Sequence, residues 1–345
     1  MRSIVSRLTL LSMVAAIGCS GDRALAPTTG HSSQLADIPP ELLADYTRVN
    51  LPGTEKAVAL NDAGDAVGAT ATGGVLWHGP AHERIALPII PTAIANDGTV
   101  AGSFEGHAAT WKNGSVTVLD TAASAALAIC RCEPATVAGS VQVDGVTHAA
   151  IWVDGVRIDA GLPPGSHHAE FTSIGTGFVV GNALLREPDP HSGNIADSTD
   201  FIEPYSWSHA AGWTPFRLTD LSQATIVSLN SHGKGVGSGV EINEHNLVRG
   251  VDFDVAAAIG EGEFPDNPSI LDIAPSGIND SGLVAANAEF APQAGESGLV
   301  ALVGSTSGGQ ILPPGVFGDR TAGINSAGVI VGQSEGLPVL WLPNP

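Results

Sequence analysis

Short runs of small apolar residues, each ended by a polar turn, fill the chain from about Arg48 to Pro345. Runs of this length, bounded by Gly, Asn, Asp and Pro, are typical of β-strands. The 43 Gly and 23 Pro recur at set places rather than in low-complexity tracts. The pattern therefore predicts an all-β fold of many short strands joined by tight turns.

One unit recurs along these runs. A small apolar strand ends in Ile or Leu, a turn with Asn and Gly follows, and a second strand ends in Val-x-Gly. A third strand ends in Trp, and a fourth strand follows a tight turn. Seven copies are marked by the residue that ends the second strand: Gly68, Gly102, Gly139, Gly181, Gly237, Ala286 and Gly332. These marker residues are 34 to 56 residues apart, and four short strands at such a period predict a β-propeller.

Seven copies predict a propeller of seven four-stranded blades. The fifth and sixth copies are stretched and lack the Trp, which leaves six or eight blades as alternatives. The seventh copy stops three strands in, at residues 339–342, and residues 46–52 before the first copy resemble an isolated fourth strand. Pairing of these segments would leave no long exposed edge. We therefore predict a ring in which an N-terminal strand completes the last blade.

Two side-chain roles follow from this arrangement. The marker glycines are expected where the first strands crowd near the axis, since a missing side chain allows close backbone approach. The Trp side chains are expected to fill the space between neighbouring blades.

The first 18 residues are interpreted as an export signal. A basic stretch precedes an apolar run from Leu8 to Ile17, which is too short to span a bilayer comfortably. The run leads into Ala-Ile-Gly-Cys at 16–19, which resembles the bacterial lipobox. That resemblance implies cleavage before Cys19 and diacylation of its sulfur. A plain secretory signal with an incidental Cys is the alternative.

The predicted domains are a signal peptide at 1–18, a flexible tether at 19–44 and a single propeller at 45–345. The tether is small, polar and Pro-containing, as linkers are. A multiply acylated Cys19 would hold the protein stably at a membrane. The predicted location is therefore the bacterial envelope, at the outer membrane or the cell surface.

Charge narrows the range of partners. The chain has 35 Asp and Glu against 14 Lys and Arg, a formal net charge of −21. A surface of this sign repels phosphate backbones, so nucleic acid is not expected as a partner. The acidity is otherwise explained by solubility. The chain is predicted to be a monomer that uses no cofactor and meets the membrane only through its lipid.

Two copies share a third strand with a His-Ala-Ala sequence, at 107–109 and 148–150. With the Asn-Asp-x-Gly turns and Val-x-Gly strands, these residues resemble bacterial extracellular repeats of the HAF type, which are named for a His-Ala-Phe triplet. Ala replaces Phe in both copies, and five copies lack the His. The resemblance covers most of residues 52–345. It implies an extracellular repeat protein with a propeller-like fold, and it implies no known reaction.

The fourth copy carries the longest insertion, residues 186–204. Loops on a rigid scaffold often carry function, so this is the preferred ligand or metal loop, although a solvated acidic loop is the simpler interpretation. Its candidate residues are Asp189, His191, Asp197 and Asp200. No definite metal site is assigned.

Cys130 and Cys132 lie two residues apart in a chain predicted to be exported. On an extended strand their Cα atoms would be roughly 6.6 Å apart, near the upper limit for a disulfide. At a turn the pair could close. A strained local disulfide and two free thiols are therefore equal alternatives, with a redox role as a weaker third.

Other conspicuous residues are assigned to architecture. The Asn-Asp turns at 61–62, 96–97 and 279–280 lack the ligand spacing of a calcium loop and are explained by turn geometry. His107 and His148 sit at matching places in adjacent copies, and structural histidines are favoured there over a shared metal. No nucleophile elbow or phosphate-binding loop is present in the sequence.

The function predicted from these features is that of a lipid-anchored propeller that binds a protein, an envelope polymer or a glycan. The alternatives are a polysaccharide-acting hydrolase or lyase with loop carboxylates at the propeller mouth, and a structural envelope protein. Paired carboxylates near the axis would favour the enzyme, and their absence would favour binding.

Overall fold

A computed structural model describes residues 40–130, 135–187, 199–219, 221–241, 248–262, 270–293, 296–305 and 308–345. Its strands form seven antiparallel sheets that follow one another along the chain and close into a ring. The prediction of an all-β propeller with seven blades is confirmed. A 3-10 turn at Pro40–Leu42 precedes the first strand. Among the described residues, no helix is long and apolar enough to cross a membrane.

The first three blades each contain four consecutive strands. Blade 1 contains β2 (Lys56–Leu60), β3 (Ala66–Ala69), β4 (Gly74–His78) and β5 (Glu83–Leu87). Blade 2 contains β6 (Ile90–Ile94), β7 (Val100–Phe104), β8 (His107–Lys112) and β9 (Ser115–Val118). Blade 3 contains β10 (Ser124–Ile129), β11 (Thr136–Val143), β12 (Val146–Val153) and β13 (Val156–Gly161).

The next three blades have longer strands. Blade 4 contains β14 (Ser166–Ile174), β15 (Val179–Glu187), β16 (Thr199–Ser208) and β17 (Gly212–Pro215). Blade 5 contains β19 (Leu221–Leu229), β20 (Lys234–Glu241), β21 (Val248–Asp254) and β22 (Ile259–Gly262), and β18 (Arg217–Thr219) pairs in parallel with its outer strand. Blade 6 contains β23 (Ile270–Ile278), β24 (Val284–Gln293), β25 (Glu296–Ser305) and β26 (Gly308–Ile311).

Blade 7 is built from both ends of the chain. Its first three strands are β27 (Arg320–Ile324), β28 (Ile330–Ser334) and β29 (Leu337–Pro343), and its fourth is β1 (Tyr46–Asn50). The two outer strands pair antiparallel from Tyr46 opposite Pro343 to Asn50 opposite Val339. The predicted N-terminal closing strand, here called the latch, is therefore confirmed.

The marker glycines lie where backbone approaches backbone. Each first strand carries a bulge at this level, which pushes a carbonyl oxygen toward the second strand. A Cβ atom added to Gly181 would lie 2.0 Å from the carbonyl oxygen of Glu170, and one added to Gly332 would lie 1.9 Å from that of Arg320. No side chain fits at such distances, which confirms the close backbone approach expected at these two glycines. At Gly68 an added Cβ would instead meet the Trp77 side chain at 2.4 Å.

The Trp side chains pack between neighbouring blades, as predicted. Trp77 is fully buried and contacts Val331 and Leu340 of blade 7. In blade 5 the Trp position is two residues after Val251, which pairs with the marker Gly237. Phe253 occupies it and is fully buried. The large aromatic position is thus retained in a copy that lacks the Trp.

The two ends of the ring differ. We call the end with the turns between first and second strands, such as residues 61–65, the turn face, and the opposite end the loop face. On the loop face β3 ends one residue beyond Gly68, whereas β24 ends seven residues beyond Ala286. At about 3.3 Å per residue, the second strand of blade 6 reaches about 20 Å further than that of blade 1. The second strands of blades 3, 4 and 5 end four, six and four residues beyond their markers, so blades 3 to 6 form a wall above the shorter blades 7, 1 and 2.

Candidate functional site

The first strands of all seven blades enclose a central channel of about 380 Å³. Its middle is lined by small, apolar and hydroxyl side chains, and the hydroxyl groups belong to Thr92, Thr172, Ser173, Ser228 and Ser276. Several hydroxyls also bond to protein: Thr92 Oγ1 donates to the carbonyl oxygen of Ala126 at 2.7 Å. A volume of this size can hold a small ligand or part of a larger one.

Two carboxylates line the channel at the turn face, and both serve the ring. Asp62 Oδ1 accepts a hydrogen bond of 2.9 Å from the Ser326 amide, and its Oδ2 accepts one of 2.8 Å from Asn96 Nδ2. Asp280 Oδ1 accepts one of 2.8 Å from the Ser231 amide. Each carboxylate is therefore bound to a neighbouring blade and contributes to joining the blades at the turn face.

Buried asparagines at the same turns join the blades into a chain of contacts. Asn325 Nδ2 donates to the carbonyl oxygen of Asn61 at 3.1 Å, and Asn279 Nδ2 donates to that of Asn325 at 3.1 Å. Asn325 Oδ1 also accepts from the amides of Ala327 and Val329 within its own turn. The side-chain amide of Asn325 therefore closes its own turn and bonds to the next blade. These bonds account for the asparagine without a role as a calcium ligand.

The second blade breaks this pattern by one residue. Gly98 donates its amide to Ala95 O, as Gly64 does to Asn61 O. Ala95 is therefore the counterpart of Asn61, and Asn96 is the counterpart of Asp62. The spacing of 34 residues between Gly68 and Gly102 gives the same register. The turn glycine, rather than the Asn, is the reliable marker of register.

Three exposed side chains stand at one register position on the loop face. Lys56, Ile90 and Arg320 are each next to the residue that pairs with the marker glycine in blades 1, 2 and 7. Their neighbours along the strand are buried between blades, with Ala57 1% and Thr321 5% exposed. All three are the first residues of innermost strands and are exposed, so they stand on the loop face above the residues that line the channel. We call them the low rim.

Across the ring the same position is covered by the wall. Glu170 holds it in blade 4, opposite Asn182 beside the marker Gly181. Its side chain is 13% exposed, and its Oε2 lies 4.0 Å from Nε2 of His168, which is 16% exposed. Burial raises the pKa of Glu170 to about 7. Burial, followed by the charge of His167, lowers the pKa of His168.

Of the predicted ligand loop, Asp189, His191 and Asp197 lie outside the described residues. Asp200 lies at the start of β16, where Arg186 Nε donates to its Oδ1 at 3.0 Å and His167 Nε2 lies 3.5 Å from its Oδ2. The hydrogen bond from Arg186 lowers the pKa of Asp200. Within the described parts of the chain, no three His, Cys, Asp or Glu side chains are grouped to hold a metal ion.

Cys130 is 2% exposed and takes part in a disulfide. It stands at the turn position that Asn61 holds in blade 1, since its amide donates to Thr136 O at 2.8 Å. Cys132 lies outside the described residues, so the Cys130–Cys132 disulfide stays a prediction. Cys19, the predicted lipid attachment site, also lies outside them.

The two repeat histidines have local partners. His107 Nδ1 lies 2.9 Å from the carbonyl oxygen of Ala122, and His148 Nδ1 lies 3.2 Å from Asp159 Oδ1. These contacts agree with a structural role, although His148 bonds to a carboxylate rather than to backbone.

No protein-family model matches the sequence, and no curated protein matches it either. Solved structures do match. The chain is similar to U3-55K at 10% identity and a TM-score of 0.51, over 86% of this chain and 98% of that one. It is similar to a chain of the mitotic checkpoint complex at 10% identity and a TM-score of 0.51, over 92% of this chain and 99% of that one. At these identities the two matches show the fold alone.

A further match is the extracellular domain of a one-component system from B. thetaiotaomicron. It has 7% identity and a TM-score of 0.48, and covers 86% of this chain but 39% of that one.

Proposed function

We propose that this protein is a lipid-anchored, extracytoplasmic propeller that binds a ligand at its loop face. The observation that carries the proposal is the one-sided shape of that face, where the wall of blades 3 to 6 stands opposite the low rim. A ligand can enter over the low rim and pack against the wall. The channel below supplies neutral hydroxyl and apolar contacts, which suit binding rather than acid–base chemistry.

Export and anchoring rest on the signal-like residues 1–18 and on Cys19. The resemblance to HAF-type extracellular repeats supports the same location. The described chain begins beside blade 6, where the Ala44 amide donates to Ile311 O at 2.8 Å. Some 20 tether residues between Cys19 and that point would span an r.m.s. distance of about 25 Å if flexible. A tether of that reach would let the loop face approach material around the membrane.

A polysaccharide hydrolase or lyase is the second candidate, because Glu170 has a pKa of about 7 and stands at the loop-face mouth. A carboxyl that is partly protonated near neutral pH suits a general acid. Retaining and inverting glycosidases both need a second carboxylate. Of the described carboxylates on β16, Asp200 is bonded to Arg186 and Glu203 accepts a hydrogen bond from the hydroxyl of Tyr205, so the contacts favour binding.

The test combines location and retention. Expression of the full chain and of Cys19→Ser in a bacterial host with a labelled fatty acid should label only the parent chain and place it in the membrane fraction. Isolated envelope material should then retain the purified full chain in detergent without consuming any polymer. Equal labelling of both chains would overturn the anchor, and no retention would overturn the binding function. Shortened polymer products that disappear in Glu170→Gln would establish the enzyme instead.

A further inference from the structure

The low rim contains two basic side chains that have no acidic partner. Lys56 and Arg320 have no carboxylate within 4 Å among the described residues, and both side chains are exposed. Six of the other described basic side chains lie within that distance of a described carboxylate, namely Arg48, Arg84, Lys112, Arg157, Arg186 and Lys234, whereas Arg217, at the outer edge of blade 5, does not. In a chain with 35 acidic and 14 basic residues, two unmatched cations at one mouth call for an explanation.

The ring places these two cations side by side. Blades 7 and 1 are neighbours, since Asn325 of one bonds to Asn61 O of the other. Lys56 pairs with Ala69 and Arg320 with Gln333, one step past the marker glycine in both sheets. Like charges on adjacent strands repel each other, and an anion between them would remove that repulsion. Each cation has an acidic neighbour along the chain, but Glu55 is paired with Arg84, and Asp319 is fully buried, which raises its pKa. At physiological ionic strength charges are screened beyond about 8 Å, so more distant acidic residues do not cancel the pair.

The surroundings suit a hydroxyl-rich ligand. Hydroxyl groups such as those of Thr92 and Ser173 line the middle of the channel below the rim, and its two carboxylates, Asp62 and Asp280, lie at the far end, on the turn face. The third rim residue, Ile90, is 37% exposed and offers an apolar surface beside the cations. Sugar rings combine hydroxyl groups with apolar faces. The mouth is also bounded by a wall on one side only, which leaves room for a polymer to continue past it.

We propose that Lys56 and Arg320 bind the acidic group of an anionic polysaccharide at the loop-face mouth. The inference rests on the proposed binding function and adds the class of ligand. Lys56 and Arg320 each donate hydrogen bonds and positive charge to the oxyanion, whether it is a carboxylate or a phosphate, because such charge-assisted bonds are the strong ones. Neighbouring sugar hydroxyls then contact the channel side chains.

The test measures binding of the full chain, in detergent, to polygalacturonate, to a phosphate-bearing teichoic acid, to neutral dextran and to poly-glutamate. The double variant Lys56→Gln/Arg320→Gln should raise the Kd for at least one acidic polysaccharide about ten-fold or more. The matched control is Arg217→Gln, which removes an exposed charge from the outer edge of blade 5 and should leave the Kd unchanged. The stronger of the two acidic polymers identifies the source of the oxyanion.

An unchanged Kd in the double variant would overturn the rim site, as would equal weakening by Arg217→Gln. Equal binding of poly-glutamate, or of dextran, would overturn the assignment to acidic polysaccharide. If the parent chain binds none of these polymers yet is retained by native envelope material, this inference fails and the proposed function stands. If the parent chain binds neither these polymers nor the envelope material, this inference and the proposed function both fail. Each variant should unfold at the same temperature as the parent chain. An unchanged melting temperature shows that a loss of binding is not caused by a loss of folding.

Discussion

The hydroxyl of Tyr46 donates a hydrogen bond of 3.2 Å to the carbonyl oxygen of Gly328, 282 residues further along the chain. Arg48, on the same strand, donates from Nη1 to Ser334 Oγ at 2.7 Å and to Glu335 Oε2 at 2.8 Å. These side-chain contacts add to the backbone pairing of the latch with β29. The ring is therefore held shut at both ends of one strand.

Deleting residues 45–52 should lower the melting temperature sharply. The deletion removes the fourth strand of blade 7, exposes the edge of β29 and uncovers Leu340 and Trp341, which are 1% and 0% exposed. Thermal unfolding followed by circular dichroism measures the effect. Deletion of residues 24–31, eight residues of the tether, is the matched control and should leave the melt unchanged. Equal melting of the latch deletion and the parent would refute the role of the latch.

Asn325→Ala should lower the free energy of unfolding by about 3 kcal/mol, because buried backbone groups lose their partners. The groups are Asn61 O in the next blade and the amides of Ala327 and Val329 in the same turn. Asn96→Ala is the control, since Asn96 is exposed and bonds to Asp62, and should cost less than about 1 kcal/mol. Urea titration measures both values, and equal losses would contradict the role given to the buried amide.

Gly181→Ala should cost about 2 to 4 kcal/mol, because its new Cβ would meet the Glu170 carbonyl oxygen at 2.0 Å and force the bulge to move. Blade 6 supplies the reciprocal experiment, since Ala286 already holds the marker position there. Ala286→Gly should cost only about 1 kcal/mol. A loss at Gly181 as small as that at Ala286 would mean that the first strand yields easily and that close approach does not explain the glycine.

Glu170 should make stability depend on pH between about 4.5 and 7. Its pKa rises from an ordinary value of 4.5 to about 7 in the folded protein, so ionisation is harder in the folded state than in the unfolded one. The parent chain should therefore lose stability as pH rises through this window, by about 3 kcal/mol at most, and the loss should be constant above it.

Glu170→Gln removes this loss, since Gln resembles the protonated acid. The difference in unfolding free energy between variant and parent should be near zero at pH 4.5 and should favour the variant at pH 8. Urea titrations at the two pH values measure it. A difference that does not change with pH would show that Glu170 ionises freely in the folded chain.

Much of the architecture could be predicted because each blade repeats the same local solutions. A turn needs a residue that tolerates positive φ, as at Gly64 and Gly98, with φ of 86° and 79°, and a crowded strand needs a glycine. These requirements act on neighbouring residues and so leave a period in the sequence. Phe253 does not show in the repeat pattern because Trp marks that position in other blades, whereas packing requires only a large buried side chain.

The low rim could not be predicted in the same way. Lys56, Ile90 and Arg320 share no residue type, and their equivalence emerges only from strand register. The height of the wall depends on where pairing stops in β15 and β24, which tertiary contacts decide. The parallel pairing of β18 with β22 likewise produces no repeating pattern in the sequence. Differences between blades, rather than their shared features, form the candidate site, and a repeat comparison averages these differences away.

The latch also sets the order in which the protein can be completed. Residues 46–50 are made among the first of the domain, and their partners at 339–343 among the last. Six blades can therefore assemble while blade 7 waits for its final strands. Contacts between such distant residues slow folding, because the loop must close before they form. For a chain that emerges N-terminus first, the emergence of residues 339–343 is the event that permits the ring to close.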